Sequence, residues 1–318
     1  MRSYLVIGTG GIGLYLGSLL QRRGNVAVHF LARSDYNHML NDGIKINSCD
    51  GDFVLHANDI KVYNKIDDIP PCDVVLLAVK GNNIINILPS LLTIMNDKSV
   101  IITVQNGIGI EEMLTSVVAP YQIVSSVCAI KSTRIAPGHI CHEFGNRVDL
   151  GYYDNGDKFL IDSILSDLQE ASIDANLPKD IFYIKWIKLS FTISTFALSV
   201  ISNTSTQELL SNHLDQLLII GAEVGKIAEI FGYHIDVQKL FEDSINKLQY
   251  LPPVYPSIVF DYRNNIPMEL DTTFGNILSI ARTYDVSVPN IQGAYDTLKI
   301  LERKRLARTL STSLVTAI

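Results

Sequence analysis

The spacing of hydrophobic residues changes near residue 180, and this change predicts two domains. Before it, short apolar runs alternate with amphipathic segments, which predicts strands separated by helices. After it, apolar residues recur every three or four positions, which predicts helices alone. We therefore predict an α/β domain over residues 1–179 and an all-α domain over residues 180–318.

The first domain is predicted to be a Rossmann-type, doubly wound sheet with a more antiparallel extension. The continuous apolar run over 73–79 is typical of a parallel strand covered on both faces. Strands are predicted near 4–7, 26–31, 44–47, 52–55, 73–79, 99–104, 123–129, 139–141 and 149–152. Helices are predicted from the first glycines through Leu20 and over 83–94, 109–118 and 157–171.

The second domain is predicted to contain six helices, over 181–202, 206–231, 236–249, 256–262, 267–284 and 290–309. Ser205 and Glu208 have the spacing of a capping box, and Gly232 is a plausible helix stop. We expect the active site in the cleft between the two domains.

A glycine-rich turn between the first strand and the first helix predicts nucleotide binding. Gly8 allows the turn, Gly10 lets the backbone approach a pyrophosphate, and Gly13 lets the helix pack closely against the strand. The helix N-terminus then offers free N–H groups to phosphate. The predicted cofactor-binding residues of the turn are Gly8, Thr9, Gly10, Gly11, Ile12 and Gly13. The alternative is an ordinary structural turn.

The end of the second predicted strand indicates which nucleotide binds. NAD sites place a carboxylate there for the ribose 2′-hydroxyl, whereas NADP sites place a cation for the 2′-phosphate. The first charge in the sequence His29-Phe-Leu-Ala-Arg33-Ser34-Asp35 is Arg33, and Ser34 adds a donor. We predict NADP. The alternative is that Asp35 binds the ribose and Arg33 is a solvated loop residue.

The amino-acid composition and net charge limit which classes of binding partner are expected. A net charge of −7, with 47% hydrophobic and 19% charged residues, argues against a nucleic-acid or anionic-membrane partner. The one basic cluster is predicted to be a solvated face in the last turns of the terminal helix and contains Arg303, Lys304, Arg305 and Arg308.

Cysteine usage and the N-terminus favour a cytoplasmic protein. Four widely spaced cysteines without a C-x-x-C motif are expected to be reduced and mostly buried, and none of the seven histidines is expected to join a metal-ligand cluster. The first strand begins almost at Met1, so we expect no signal peptide. The apolar segment 187–201 is expected to be too short and too interrupted by polar residues to span a membrane.

Polar residues follow two predicted strands at the edge where ligands of such sheets bind. Lys80 follows the strand 73–79, and Asn106 follows the strand 99–104. Either residue alone could simply cap its strand. Together on neighbouring strands, they are expected to touch cofactor or substrate.

The helix predicted over 181–202 carries a polar stripe of Lys188, Thr192, Thr195 and Ser199, at spacings that place all four on one face. A lysine among large apolar residues must reach water, a carboxylate or a cleft, because an unpaired buried ammonium is costly. We favour a cleft, and the alternative is snorkelling to the surface. The hydroxyls could instead bond to carbonyls one turn earlier. Glu269 is a candidate partner of the lysine.

These residues together resemble the ketopantoate reductase family over nearly the whole chain. The matching features are the glycine turn, Arg33, Val79-Lys80, Gln105-Asn106-Gly107-Ile-Gly109, Trp186-Ile-Lys188-Leu189, Pro256-Ser257, Met268-Glu269-Leu-Asp271 and the tail from Ala281 to Asn290. The twelve-residue separation of Ser257 and Glu269 also matches.

The resemblance implies an enzyme that uses NADPH to reduce a 2-oxo acid, by default 2-dehydropantoate to (R)-pantoate in pantothenate and coenzyme A biosynthesis. It implies that Lys188 is the proton donor and that Glu269 acts with it on the substrate and cofactor. Asn106 would hold cofactor and substrate, Ser257 the substrate carboxylate, and Lys80 and Arg33 the cofactor. Thr192 would line the substrate pocket. No metal is implied, and a homodimer is possible.

The chain departs from the family where substrate-gripping asparagines are expected. Thr192, Phe196, Val254 and Thr206 stand at those positions. Threonine keeps some hydrogen bonding, whereas Phe196 and Val254 do not. The alternatives are therefore a reductase of a more apolar 2-oxo acid and an NADP-binding sensor without turnover, although a sensor would not need a proton donor.

Overall fold

The structure, a computed structural model, describes residues 1–315 and the side chains of residues 1–307. These residues form two compact units. The first comprises residues 1–105 and 109–181, and the second comprises residues 106–108 and the chain from Phe182 onward. The segment 106–108 thus belongs to the second unit although its neighbours on both sides belong to the first.

The first unit is built on one mixed sheet of ten strands. Their bounds are Ser3–Ile7 (β1), Ala27–Leu31 (β2), Ile44–Ser48 (β3), Phe53–Leu55 (β4), Lys61–Tyr63 (β5), Val74–Leu77 (β6), Val100–Thr103 (β7), Ile123–Ala136 (β8), His139–Tyr152 (β9) and Asp174–Asn176 (β10). The order is β4-β3-β9-β8-β7-β6-β1-β2-β5, with β10 beside β9.

Six adjacent strands, in the order β5-β2-β1-β6-β7-β8, run parallel to one another. Ranked by chain position, they follow the order of a dinucleotide-binding sheet, in which the strand order reverses beside the first strand. The predicted Rossmann-type core is confirmed. The antiparallel pairs β3–β4 and β8–β9 form the predicted extension.

Helices cover both faces of this sheet. They are Gly11–Arg23 (α1), Tyr36–Asp42 (α2), Ile84–Ile94 (α3), Ile110–Leu114 (α4) and Lys158–Glu170 (α5). Val6 of β1 packs in one core with Leu14 of α1 and Ile164 of α5. Its neighbour Leu5 packs in the other core with Ile87 of α3. Because successive strand residues point to opposite faces, both cores are filled from the same strands.

The β8–β9 hairpin is the largest difference from the predicted elements. Three short strands were expected near 123–129, 139–141 and 149–152, but the structure has two strands of fourteen residues each. β8 pairs with β7 only at Ile123–Ser125, whereas its pairing with β9 extends to Ala136. None of the residues 129–136 in the outer part of β8 is buried, so this part lacks the buried apolar run that marks a central strand.

The second unit is helical throughout its described residues. Its helices are Ile181–Ser202 (α6), Thr206–Asn212 (α7), Leu214–Ile230 (α8), Val237–Leu248 (α9), Ser257–Arg263 (α10), Asn276–Thr283 (α11) and Pro289–Val315 (α12). A π-helical segment, Asp271–Gly275, leads directly into α11. The capping box of Ser205 and Glu208 is present, and Gly232 follows α8 with φ of +81°. The helix predicted over 206–231 is interrupted at His213.

Helix α6 contributes five buried residues to the hydrophobic core of this unit: Trp186, Leu189, Ile193, Ala197 and Val200. Its 22 residues are long and apolar enough to cross a membrane, and among the described residues no other helix is. The expectation that its apolar segment is too short is therefore wrong. Burial is what marks α6 as a core helix, because 61% of its most apolar stretch of 18 residues is buried inside the protein.

The basic cluster near the C-terminus is only partly a solvated face. Arg303 and Lys304 are exposed, whereas Arg305 is half-buried and donates hydrogen bonds of 2.8–2.9 Å to the carbonyls of Asp261, Tyr262 and Ile266. The cluster also lies within α12 rather than in its last turns, since the helix continues to Val315. The side chain of Arg308 lies outside the described residues.

Candidate active site

The glycine turn lies where the order of the parallel strands reverses. Gly8 follows β1 with φ of +110°, and a Cβ there would lie 2.7 Å from the backbone of Ala78 and Val79, just after β6. A Cβ on Gly13 would lie 2.1 Å from the carbonyl oxygen of Gly8. Any side chain at either position would separate β1, β6 and α1, so both glycines are required by close packing.

Gly10 and Gly11 meet opposite surroundings. A Cβ on Gly10, the N-cap of α1, would meet no atom within 4 Å. A Cβ on Gly11 would lie 2.0 Å from the carbonyl oxygen of Ser132 on β8, and the Ser132 hydroxyl donates to the Gly11 carbonyl at 3.1 Å. The absence of a side chain at Gly11 therefore lets β8 pack against the turn. Gly10 faces open space in which a ligand can approach the backbone.

The N-terminus of α1 is suited to bind an anion. The first N–H groups of a helix have no partner within the helix and sit at the positive end of its dipole. The first turn of this 13-residue helix has no acidic residue, and its last turn carries Arg22 and Arg23. Residues 8–12 are partly exposed. This chemistry fits the pyrophosphate of a dinucleotide.

Arg33 and Asp35, the two residues that the sequence offered for binding the ribose or its 2′-phosphate, have different surroundings in the structure. Asp35 is fully buried and accepts hydrogen bonds from the Ser34 hydroxyl at 2.8 Å, from the Arg134 guanidinium, and from the Gly138 N–H at 3.2 Å. Both carboxylate oxygens are therefore engaged within the protein. Arg33 and Ser34, in contrast, are exposed. The surroundings of Asp35 favour Arg33 as the residue that reads the nucleotide.

Arg134 is a second cation beside this loop, and sequence reasoning missed it. Its guanidinium bonds Asp35 and lies 3.3 Å from the Ser34 hydroxyl, while 40% of the side chain stays exposed. Arg134 stands on the outer part of β8, two residues after Ser132, which contacts the glycine turn. Strand β8 thus runs from the glycine turn to the 33–35 loop. One hundred residues separate Arg134 from Ser34, so no local motif could reveal the pairing.

The end of β6 is held in place by Gln105. Its side-chain amide donates to the carbonyls of Leu77 at 2.7 Å and Val79 at 2.9 Å. Lys80 follows directly and is half-buried. The sequence motif included Gln105 without assigning it a role. Its two hydrogen bonds fix the backbone from which Lys80 extends.

The segment 106–108 packs against the π-helical segment within the second unit. Gly107 has φ of +94°, and a Cβ there would lie 2.6 Å from the Thr272 carbonyl oxygen. The side-chain amide of Asn276 donates to the Ile108 carbonyl at 2.6 Å. Glu269 lies at the start of this helical stretch, where its carbonyl accepts from the Thr273 N–H at 3.1 Å. The half-buried residue Asn106 is therefore anchored to the element that Glu269 begins.

Helix α6 carries the predicted polar stripe, and its members differ in their surroundings. Lys188 is half-buried, and Thr192 is buried with 5% of its surface exposed. Thr195 donates to the Phe191 carbonyl one turn earlier at 2.8 Å, which is the alternative raised for the hydroxyls. The buried Ser199 hydroxyl has no partner among the described residues. Thr195 therefore serves the helix, whereas Lys188 and Thr192 remain candidates for the substrate.

Two of the positions at which the chain departs from the family's asparagines are neighbours in the structure. The Thr206 N–H donates to the Val254 carbonyl at 2.8 Å. The Gln207 side chain accepts from the Val254 N–H and donates to the Pro252 carbonyl, both at 2.8 Å. These bonds hold the loop before α10 against the start of α7. Ser257, the first residue of α10, is exposed.

A parallel sheet of this strand order, with a glycine turn where the order reverses, is typical of the class of dinucleotide-binding proteins. The sequence profile described as "Ketopantoate reductase PanE/ApbA" matches residues 4–155, and that of its C-terminal part matches residues 180–302. The chain belongs to the ketopantoate reductase family, whose members are oxidoreductases that act on a 2-oxo acid with a nicotinamide cofactor.

Individual proteins agree with this assignment. A 2-dehydropantoate 2-reductase of Nostoc sp. is 31% identical over 312 residues, which are 95% of each chain. The crystal structure of 2-dehydropantoate 2-reductase from Methylococcus capsulatus is 28% identical, has a TM-score of 0.84, and matches 95% of this chain and 97% of its own. A structure of D-mandelate dehydrogenase with NADH and anilino(oxo)acetate shares the fold at 19% identity and a TM-score of 0.87, over 96% and 99% of the two chains.

Proposed function

We propose that this protein reduces 2-dehydropantoate to (R)-pantoate with NADPH, as a cytoplasmic enzyme of pantothenate and coenzyme A biosynthesis. The family and the relatives named 2-dehydropantoate 2-reductase support the reaction. The single structural observation that favours NADPH over NADH is the burial of Asp35 against Arg134, with Arg33 left exposed. A 2′-phosphate would meet cations there rather than a free carboxylate.

The cofactor is assigned to residues that fit its chemical groups. The backbone of Gly8, Thr9, Gly10, Gly11, Ile12 and Gly13 would hold the pyrophosphate. Arg33 would hold the 2′-phosphate, with Arg134 beside it. Lys80, Asn106 and Glu269 would complete cofactor binding. Bound NADPH supplies a hydride to the carbonyl carbon of the substrate.

Residues of the second unit would act on the carbonyl oxygen of the substrate. As negative charge develops on that oxygen, the Lys188 ammonium stabilises it and donates a proton. Asn106 and Thr192 would orient the substrate by hydrogen bonds, and the exposed Ser257 hydroxyl would bind its carboxylate. Glu269 would act with Lys188 as the second catalytic residue. None of these roles needs a metal.

A second candidate function is reduction of a more apolar 2-oxo acid. The observation that favours it is the presence of Phe196 and Val254, both half-buried, at positions where amides are expected. An apolar pocket discriminates by shape and size rather than by hydrogen bonds to a substrate hydroxyl. The reaction type would be unchanged, and only the preferred substrate would differ.

A steady-state assay of NADPH oxidation with a small panel of 2-oxo acids tests the proposal. We expect turnover with 2-dehydropantoate, with pantoate identified as the product by chromatography. Turnover only with apolar 2-oxo acids would support the second candidate. Tight NADPH binding without oxidation by any panel member would support the sensor reading and contradict both. The homodimer stays a prediction that light scattering after size-exclusion chromatography would test.

A further inference from the structure

Three potential metal ligands come together within the first unit, at the turn of the β3–β4 hairpin. They are the thiol of Cys49, the carboxylate of Asp50 and the imidazole of His142 on β9, and their ligand atoms all lie within 4.8 Å of one another. The sequence analysis expected no histidine in a ligand cluster, whereas His142 belongs to a group of described residues that could hold a metal ion. His142 lies more than ninety positions from Cys49 and Asp50, so the spacing in the sequence gave no signal.

The distances between these atoms suit one small cation. Cys49 Sγ lies 3.7 Å from His142 Nδ1 and 3.8 Å from Asp50 Oδ1, and His142 Nδ1 lies 3.9 Å from Asp50 Oδ2. Tetrahedral bonds of about 2.0–2.3 Å place neighbouring ligand atoms roughly 3.3–3.8 Å apart. The distances of 3.7 and 3.8 Å fall at the upper end of this range, and that of 3.9 Å lies just above it. Because the two distances to Asp50 involve different carboxylate oxygens, the exposed Asp50 side chain must rotate to present one oxygen to the cation.

The imidazole of His142 is oriented as a metal ligand requires. Its Nε2 lies 2.6 Å from the Gly145 carbonyl oxygen, which can only accept, so Nε2 carries the proton and the Nδ1 lone pair faces the cluster. Histidines that bind metals commonly donate their other N–H to such a carbonyl. The ring is buried and stacks on Tyr15 with a centroid distance of 4.1 Å. The ligand direction is therefore fixed by packing.

The other two ligands, Cys49 and Asp50, lie on the short turn between β3 and β4. Cys49 and Asp50 are exposed, so a cation can reach them from solvent. The Ser48 hydroxyl lies 2.8 Å from His142 Nδ1 and donates its hydrogen-bonding proton to the lone pair of that nitrogen. A cation bound by the three ligands would take the place of that proton. Ser48 could then rotate away or approach the fourth position.

We propose that Cys49, Asp50 and His142 form a zinc-binding site that clips the β3–β4 turn to β9. One thiolate, one carboxylate and one imidazole are a ligand set for Zn²⁺, whereas Mg²⁺ and Ca²⁺ prefer oxygen ligands throughout. Three protein ligands leave one coordination position for water. The site lies within the first unit and is independent of the proposed reduction.

Direct metal titration tests this proposal. The full chain is purified with chelator, reduced, and titrated with ZnCl₂ against a chromophoric zinc indicator. CoCl₂ is used separately for absorption spectra. We expect one saturable equivalent of Zn²⁺, a thiolate-to-cobalt charge-transfer band, and a higher melting temperature with Zn²⁺. Cys49→Ser and Asp50→Asn should each weaken Zn²⁺ binding by about tenfold or more, and Cys49→Ser should abolish the charge-transfer band.

Cys141→Ser is the matched control. Cys141 precedes His142 on β9, so its side chain points to the other face of the sheet, and Zn²⁺ affinity should not change. Because both primary variants lie on the exposed turn, their melting temperatures without Zn²⁺ should match that of the unmodified chain. Absence of a saturable equivalent in the unmodified chain, or unchanged affinity in Cys49→Ser, would overturn the proposal. Equal loss in Cys141→Ser would overturn it as well.

Discussion

The carboxylate of Asp35 is buried against the guanidinium of Arg134, which reaches it from strand β8. This pair engages the carboxylate that the sequence offered for a ribose hydroxyl, and Arg33 and Arg134 lie in or beside the same loop. The proposed preference for NADPH rests on this hydrogen bond between distant residues. The first two predictions follow from it.

Arg33→Ala should remove most of the preference for NADPH. A charge-assisted contact with the 2′-phosphate is worth about 1.5–3 kcal/mol, so the ratio of NADPH to NADH affinity should fall on the order of tenfold to a hundredfold. Isothermal titration with both nucleotides measures the ratio, and Arg33→Lys should keep part of it. Equal affinities in the unmodified protein would contradict the prediction.

Arg134→Gln should weaken NADPH binding by roughly tenfold and leave NADH binding nearly unchanged. It also leaves Asp35 buried without its cation, which should lower the free energy of unfolding by about 1–3 kcal/mol. The double variant Arg134→Gln, Asp35→Asn removes the buried charge and should recover part of that stability, but not NADPH affinity. Recovery of both by the double variant would mean that Arg134 only supports the fold. Arg282→Gln, at an exposed arginine of the second unit, is the control.

Lys188→Ala should reduce turnover by about a hundredfold or more and leave NADPH binding nearly intact, since this is the usual scale for a lost general acid. Stopped-flow and steady-state NADPH oxidation would separate the chemical step from binding. Lys247→Ala, at an exposed position of α9, is the matched control and should retain full activity. Near-normal turnover of Lys188→Ala would place this lysine among surface residues that snorkel.

Substrate discrimination should reveal whether Phe196 and Val254 line the pocket. If they do, the ratio of kcat/KM between 2-dehydropantoate and its 4-deoxy analogue, 2-oxo-3,3-dimethylbutanoate, should be modest or inverted, because an apolar pocket gains only about 1–3 kcal/mol per group. If hydroxyls such as those of Thr192 and Thr206 rebuild the lost contacts, the ratio should reach about a thousandfold or more. Phe196→Asn should then raise the ratio only in the first case.

Asp271 should contribute pH-dependent stability to the second unit. Burial raises the pKa of this carboxyl, but hydrogen bonds from Lys299 at 3.0 Å and Tyr295 at 2.6 Å outweigh burial, and the pKa is lowered overall. A lowered carboxylate pKa stabilises the folded state above the unfolded pKa, and this contribution is lost as pH falls through the folded pKa. Since the pair is partly exposed, Asp271→Asn should cost about 0.5–1 kcal/mol at neutral pH.

Urea unfolding across pH checks this sign. The difference between the unmodified protein and Asp271→Asn should be constant at neutral pH and shrink below about pH 4. Asp243→Asn, at an exposed position of α9, should show no such difference. A difference that grows on acidification would show that the carboxylate destabilises the folded state.

The sequence by itself determined the alternation of strands and helices, the glycine turn and the helical second half. These features depend on local periodicity and on residues close in the chain, such as Gly8 to Gly13 and Ser205 with Glu208. The polar stripe of α6 was visible for the same reason, because helical spacing places Lys188 and Thr192 on one side. The departures from the family were also readable, since each is a single residue at a matched position.

Only the tertiary structure decided which distant residues meet. The long β8–β9 hairpin escaped the sequence because its outer part pairs by backbone hydrogen bonds and stays exposed, so no apolar run marks it. That hairpin brings Arg134 to Asp35, Ser132 to Gly11 and His142 to Cys49. The choice between Arg33 and Asp35 was therefore open in the sequence. The burial of Asp35, on which our proposal of Arg33 rests, depends on a charge partner from a strand about one hundred residues away.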